Sequence, residues 1–224
     1  MIQREFLGSA SIPGGREELR LFRRGADFMI VLDRNELMSS RMSGSEEALA
    51  NMTIERLRGR PAPEILIGGY GMGFTLRAAL AAVGQDARLT VVELVAEIID
   101  WARGPMAEMT AAFLDDPRVA LRIADVGEAI RSATGDYDAI LLDVDNGPDG
   151  LSRRENDRLY SMAGLAAACA ALKPGGVLAV WSAHPDKGFA ARLRQSGFEV
   201  DEVNTRARGK RGARHVIWLA VQKQ

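Results

Sequence analysis

Apolar and polar positions change rhythm along the chain near Arg60-Pro61-Ala62-Pro63, which reads as a linker. Before it, residues 18–23 and 27–32 read as short strands joined by a turn at Arg24-Gly25-Ala26. A polar stretch follows over 38–44. Ser45 then stands where a cap is expected for a helix over about 46–57, whose first turn is acidic as the helix dipole favours. Beyond Pro63, short apolar runs alternate with longer helical patterns. Strands are predicted over 64–67, 89–94, 119–123, 137–144, 177–181, 198–203 and 215–221. Helices are predicted over 74–83, 96–113 with an interruption at Gly104-Pro105, 127–132, 155–172 and 187–195. The 155–172 helix is expected to end at the turn Lys173-Pro174-Gly175-Gly176. This alternation implies βαβ units, a mainly parallel sheet and right-handed crossovers. The expected organisation is a β-rich extension over 1–60 followed by an α/β unit over 61–224.

The 224 residues suffice for one sizeable core, and 47% hydrophobic with 26% charged residues is ordinary for a folded protein. A net charge of −1 gives no global pull toward nucleic acid or an anionic membrane, so neither is an expected partner. The basic segment 206–214 lacks interleaved aromatics and is expected to be a solvated hairpin loop. No apolar run approaches the ~20 residues that cross a bilayer, and the first residues have no signal-type apolar stretch, so a cytoplasmic location is the expectation. Cys169 is the single cysteine; it permits no intrachain disulfide or cysteine cluster and is expected to be a small buried apolar residue. No metal is expected.

Ligands of open α/β sheets bind beyond the carboxyl ends of the strands, so the segments after each strand are where chemistry is sought. The first is Gly68-Gly69-Tyr70-Gly71-Met72-Gly73, between a strand and a helix. Glycines there let the backbone turn tightly and approach a ligand. The second is Glu93, with Leu94 beside it, at the end of the next strand, where a carboxylate can accept from the two ribose hydroxyls of a nucleoside. The third is Asp125-Val126: Asp125 is placed to accept from an adenine amino group with Val126 offering its N–H, or else to cap a helix. The fourth is Asp143, ending a very apolar strand, with Asp145 and Asn146 in the loop after it. A carboxylate there is costly without a role, and neighbouring carboxylates can hold an amine or act as a base. His184 and Asp186 follow the fifth strand of the series and are weaker candidates for facing the same pocket. Trp101, Tyr160 and Trp181 read as packing residues or pocket wall.

Glycine turn, strand-end Glu93, Asp125, Asp143 and the Leu172-Lys173-Pro174-Gly175-Gly176 turn occur in the order that resembles class I S-adenosylmethionine-dependent methyltransferases. Val92-Glu93-Leu94 with Glu97, Asp115-Asp116-Pro117-Arg118-Val119, the Gly-Pro after Asp143 and the β-rich leader resemble, more narrowly, the spermidine synthase (polyamine aminopropyltransferase) branch. The resemblance implies a Rossmann-like seven-stranded sheet with helices on both faces and an antiparallel last strand. It implies S-adenosylmethionine or its decarboxylated form as cofactor, a small-molecule acceptor and a possible homodimer. The chain departs from the branch at several positions. Its Asp-x-x-Asp pattern is met by Asp143 but not by Asn146, with Asp145 out of register. The leader segment from Glu36 to Glu47 has no Gln, Tyr or His where the branch supplies a Gln and a Tyr-His-Glu type motif, and Tyr70-Gly71-Met72 stands where the branch usually has an Asp. These departures put methyl transfer first among the expectations. Aminopropyl transfer or a catalytically inactive nucleoside-binding scaffold are the alternatives, and an NAD dehydrogenase is disfavoured.

Overall fold

A computed structural model describes residues 3–15, 17–144, 147–148, 158–208 and 211–223. Two sheets organise them. The smaller is an antiparallel meander of β1 (Glu5–Ser11), β2 (Glu18–Arg24), β3 (Asp27–Leu32) and β4 (Asn35–Ser39). The β2–β3 turn is the expected one, with Gly25 at φ +64° where a two-residue hairpin needs a positive angle. Strands β1 and β4 go beyond the sequence expectation. The β3–β4 turn takes its positive φ from Asp33 (+52°) instead of a glycine, and the Arg20 guanidinium donates to the Asp33 carbonyl. Asp tolerates this conformation through its short polar side chain, but the residue type signals it weakly.

Helix α1 (Gly44–Arg56) begins at Ser43, whose hydroxyl donates to Glu47. Ser45, expected as the cap, lies instead fully buried in the first turn. Glu46, Leu49, Ala50 and Thr53 form a buried stripe at helical spacing, and the helix packs on the large sheet and on α2 (Phe74–Ala82).

The large sheet has strand order β10-β11-β9-β8-β5-β6-β7. Strands β5 (Glu64–Gly68), β6 (Arg88–Glu93), β7 (Val119–Ile123), β8 (Tyr137–Leu142) and β9 (Leu172–Ser182) are parallel. The strand β11 (Arg211–Gln222) runs antiparallel to β9 and to β10 (Phe198–Arg208). The seven-stranded Rossmann-like fold is therefore as the sequence implied. Alternation sorts its side chains into two cores: Ile65, Ile67, Leu141 and Ile217 face one, while Leu66, Ile140, Leu142 and Trp218 face the other. Helices α3 (Ala96–Arg103) and α4 (Ala107–Leu114) flank the expected break at Gly104-Pro105. Helices α5 (Val126–Arg131), α6 (Met162–Ala171) and α7 (Lys187–Gln195) complete the described set.

Three local expectations are corrected. Lys173 to Gly176 do not separate α6 from the next strand; they belong to β9 as a bulge in which four residues lie opposite Asp138 alone. The buried Asp138 holds it, accepting from Lys173 Nζ at 2.7 Å, Arg60 Nη1 at 2.8 Å and Glu64 N at 2.9 Å, while Arg60 also donates to the Pro174 carbonyl at 2.7 Å. Strands β10 and β11 extend through most of the basic 206–214 segment, where Gly212 and Arg214 are exposed. Cys169 is half-buried rather than buried.

The order of the large sheet reverses between β5 and β8: successive crossovers run outward to β6 and β7, then the chain returns to the other side of β5. A crevice opens at such a point, and the ends of β5, β6, β7 and β8 meet there.

Candidate functional site

The glycine turn leaves β5 at Gly68 and winds into α2. Gly69 has φ +87°, and a Cβ there would collide with the Asp143 backbone oxygen. Glycine is thus required twice over, by conformation and by the close passage of the β8 exit. The Gly73 N–H bonds to the Tyr70 carbonyl at 2.7 Å, and Gly73 is the N-terminal cap of α2. The Tyr70 side chain leaves the crevice. It is buried, donates to the Thr110 carbonyl at 3.1 Å, and its hydroxyl is pushed up to about 12 by burial, so it stays neutral.

Glu93 is 6% exposed at the end of β6. Its two carboxylate oxygens accept from Tyr70 N at 2.8 Å and Val95 N at 2.9 Å, joining the glycine turn to the start of α3. Burial raises its pKa; the backbone N–H groups of Tyr70, Val95, Gly71 and Leu94 oppose the rise. A carboxylate with two bonds made still has lone pairs for two hydroxyls.

Gly69, Gly71, Glu93, Leu94, Asp125, Val126 and Asp143 line one cavity. Gly68 and Gly73 shape the turn without lining it. Asp125 caps α5, accepting from Gly127 N at 2.6 Å, so the capping role weighed in the sequence is present and the residue also borders the cavity. Ile12, Leu19, Leu32, Leu37 and Met38 of the small meander close the cavity from the other side. Among the described residues lining it, three are carboxylates and none is a cation.

Asp143 stands just past β8, where its backbone N–H bonds to the Gly68 carbonyl at 3.0 Å and its carboxylate accepts from Thr75 Oγ1 at 2.6 Å. Burial first, and the Glu46 carboxylate second, push its pKa up to about 7 against the Thr75 bond. Asp143 also lines a second cavity, with Glu46, Ser39, Met38, Trp181 and His215. Leu37, Met38 and Asp143 are therefore shared between two adjoining spaces. Asp145 and Asn146 lie outside the described residues.

His184 and Asp186 do not reach this site. His184 is exposed, and Asp186 caps α7, accepting from Phe189 N at 3.0 Å and pairing with Arg192 at 3.2 Å. Tyr160 and Trp101 are core residues, as weighed in the sequence. Sequence reasoning missed Glu46, Thr75 and His215 as site residues. Glu46 had a signal, since it shares the i, i+3, i+4, i+7 stripe with Leu49, Ala50 and Thr53 and so faces inward. His215 had one too: it alternates in phase with the buried Ile217 and Leu219.

The spermine/spermidine synthase domain family matches residues 44–187. The polyamine aminopropyltransferase of Mycobacterium tuberculosis (strain ATCC 25618 / H37Rv) is 30% identical over 172 residues, covering 75% of this chain and 31% of that protein. Putrescine N-methyltransferase 2 of Nicotiana attenuata is 32% identical over 143 residues, covering 60% of this chain and 37% of that one. The chain thus spans about a third of the length of these relatives. Among solved structures, the spermidine synthase from Thermotoga maritima superposes with a TM-score of 0.77 at 20% identity, over 97% of this chain and 73% of that one. A probable spermidine synthase from Corynebacterium glutamicum ATCC 13032 gives 0.67 at 19%, over 96% and 79%; both are likenesses of fold. With the family match over most of the large sheet, the chain belongs to the spermine/spermidine synthase family within the class I S-adenosylmethionine-dependent methyltransferase superfamily.

Proposed function

We propose that this protein transfers an aminopropyl group from decarboxylated S-adenosylmethionine to a small amine acceptor. The observation that carries this reading is the charge of the cavity that would hold the donor. Its described lining offers Glu93, Asp125 and Asp143 and no cationic side chain. A donor bearing a free carboxylate would meet only like charge among the ionisable side chains there. One bearing an ammonium and a sulfonium would meet opposite charge. This favours aminopropyl transfer over the methyl transfer placed first by the sequence, and the match to aminopropyltransferases points the same way. A relative that methylates putrescine keeps methyl transfer as the second reading.

The residues fit such a nucleoside. Gly69 and Gly71 present backbone without Cβ atoms, Glu93 has free lone pairs for ribose hydroxyls, and Asp125 with Val126 borders the expected adenine edge. When bound, the donor supplies an electrophilic carbon on a sulfonium sulfur. Asp143, at the junction of the two cavities, takes a proton from the acceptor ammonium and frees the nitrogen lone pair. Its pKa near 7 suits a proton acceptor at neutral pH, and the Thr75 bond fixes the carboxylate's rotamer. Proximity between the cavities supplies much of the remaining rate.

Calorimetry with S-adenosylmethionine, decarboxylated S-adenosylmethionine and methylthioadenosine tests the reading. So does release of methylthioadenosine when the decarboxylated donor is mixed with putrescine. Tighter binding of the decarboxylated donor and thioether release are expected. Preference for the full donor would return methyl transfer to first place. Binding without release for any amine would favour an inactive nucleoside-binding protein.

A further inference from the structure

A glycine turn that opens into a helix is ordinarily a place for an anion. N–H groups at a helix start point back along the axis, and glycines let a ligand come close to them. In this protein that approach is narrow. Of residues 68 to 76, only Gly69 and Gly71 line the first cavity, while Tyr70, Met72, Phe74 and Thr75 are buried. Asp143 already stands at this helix end, its carboxylate accepting from Thr75 Oγ1 at 2.6 Å.

The space above Gly71 is taken by a side chain of the small meander. A Cβ on Gly71 would stand 2.5 Å from Met38 Cε and 2.7 Å from Met38 Sδ, inside the ~3.5–4.0 Å of ordinary carbon contact. Gly71 thus turns bare backbone toward the cavity, and a thioether lies across it. Met38 belongs to β4, where it pairs with Ile30, and it packs against the core that contains Ile30 and Tyr70. The strand fixes where its stem begins, while the unbranched tip fills the gap. Met38 borders both cavities, so a ligand group that displaces the tip costs room in one of them.

The two donors weighed for the first cavity differ in one group. S-adenosylmethionine carries a carboxylate on the carbon that bears its ammonium, and the decarboxylated form carries hydrogen there. Repulsion from Glu93, Asp125 and Asp143 weakens wherever water and salt enter, whereas an occupied volume does not. Two ligands that differ by one group are separated when the protein fills the volume that group needs.

We infer that Met38 selects the donor by its tail: over Gly71, its thioether occupies the volume that a donor carboxylate would need to reach the start of α2. This rests on reading the first cavity as the donor site, and it adds shape to the charge argument made there.

The ligand pair that isolates the carboxylate is S-adenosylhomocysteine and its decarboxylated counterpart, S-adenosyl-3-thiopropylamine. Methylthioadenosine, which lacks the amino-bearing tail, is the control. Calorimetry gives the three Kd values for wild type, Met38→Ala and Met38→Leu. Wild type should bind the thiopropylamine more tightly than S-adenosylhomocysteine. In Met38→Ala the ratio of these two Kd values should move by roughly tenfold or more toward S-adenosylhomocysteine, with methylthioadenosine bound within about threefold of wild type. Met38→Leu, which restores most of the bulk without the sulfur, should keep the wild-type ratio. An unchanged ratio in a Met38→Ala protein that still binds methylthioadenosine would overturn the inference and leave the aminopropyl reading in place. A ratio in Met38→Leu equal to that of Met38→Ala would overturn it too, because bulk would not be the determinant. If wild type prefers S-adenosylhomocysteine and Met38→Ala moves the ratio further the same way, the aminopropyl reading fails and this inference stands. Failure of wild type to bind methylthioadenosine would remove both.

Discussion

Replacing Asp143 with Asn should stabilise the unliganded protein while disabling it. In the native state the carboxyl has been moved from an ordinary 3.8 to about 7 by burial and by Glu46. Below pH about 3 the group is protonated in both folded and unfolded chains, and it contributes almost nothing to the balance. As pH rises the unfolded chain ionises first, and the folded state becomes progressively less favoured until the native carboxyl also ionises near 7. The full rise corresponds to a ceiling of about 4 kcal/mol at 1.36 kcal/mol per pKa unit. Asp143 keeps part of its surface in water, so about 2 kcal/mol is the expected release in the variant at pH 8. For a chain of this length that is a Tm gain of about 4–8 °C. The amide oxygen can still accept from Thr75 Oγ1, so the geometry is retained. Scanning calorimetry from pH 3 to 8 on both proteins measures the difference. It should be near zero at the acid end and grow toward neutrality, while turnover falls by roughly 10²–10⁴-fold because the proton acceptor is gone. A variant that is less stable at pH 8, or whose advantage does not depend on pH, would refute the assignment of a strained, charge-repelled carboxylate.

Glu93→Ala removes both the expected ribose contact and the tie between Tyr70 N and Val95 N. Methylthioadenosine binding measured by calorimetry should weaken by roughly 1–3 kcal/mol, and unchanged affinity would remove Glu93 from the donor site. Gly69→Ala and Gly59→Ala share a φ near +88°, but only the former collides with a neighbour. In urea melts the second should cost about 1–2 kcal/mol and the first about 4 kcal/mol or more; equal losses would mean that the β8 exit yields easily. Asp138→Ala leaves Lys173, Arg60 and the Glu64 N–H without their shared acceptor, at a cost of about 2–4 kcal/mol at pH 7. Burial works against the Asp138 charge, but these partners outweigh it and hold its pKa below the usual carboxylate range. The gap to wild type should therefore close as pH falls through that lowered pKa, and a gap persisting at pH 2 would exclude the ionic account.

The large sheet was legible because its parallel strands β5, β6 and β8 are short apolar runs bounded by glycine, proline or charge, with helical patterns between the strands. The candidate site was legible for the same reason: Gly69, Glu93, Asp125 and Asp143 sit immediately after or at strand ends, where topology forces them together. What escaped was whatever depended on unmarked turns or distant contacts. Strand β4 follows a turn whose positive φ belongs to Asp33, so no glycine announced it. Lys173 to Gly176 carry the residue types of a turn, yet Asp138, 35 positions away from Lys173, binds them into the strand. Glu46 and His215, which line one cavity with Asp143, are 169 residues apart in sequence and meet only because α1 packs against β11. Asp116 and Arg118, noted as part of a family resemblance, turn out to be a brace: Arg118 binds Asp116 at 2.8 Å and reaches the carbonyls of Leu80, Val83 and Gly84 at the end of α2.

Part of the apolar wall of the first cavity comes from Ile12, Leu19, Leu32, Leu37 and Met38, all of which precede the segment matched by the family at residue 44. The carboxylates and this part of the apolar wall are therefore encoded in separate stretches of the gene. Substitutions in the meander would reshape the apolar contacts offered to a bound nucleoside while leaving Glu93, Asp125 and Asp143 in place. A ligand pressed between the two sheets would in turn rivet the meander to the rest of the molecule, so occupancy should be readable as protection of β1 to β4 against proteolysis.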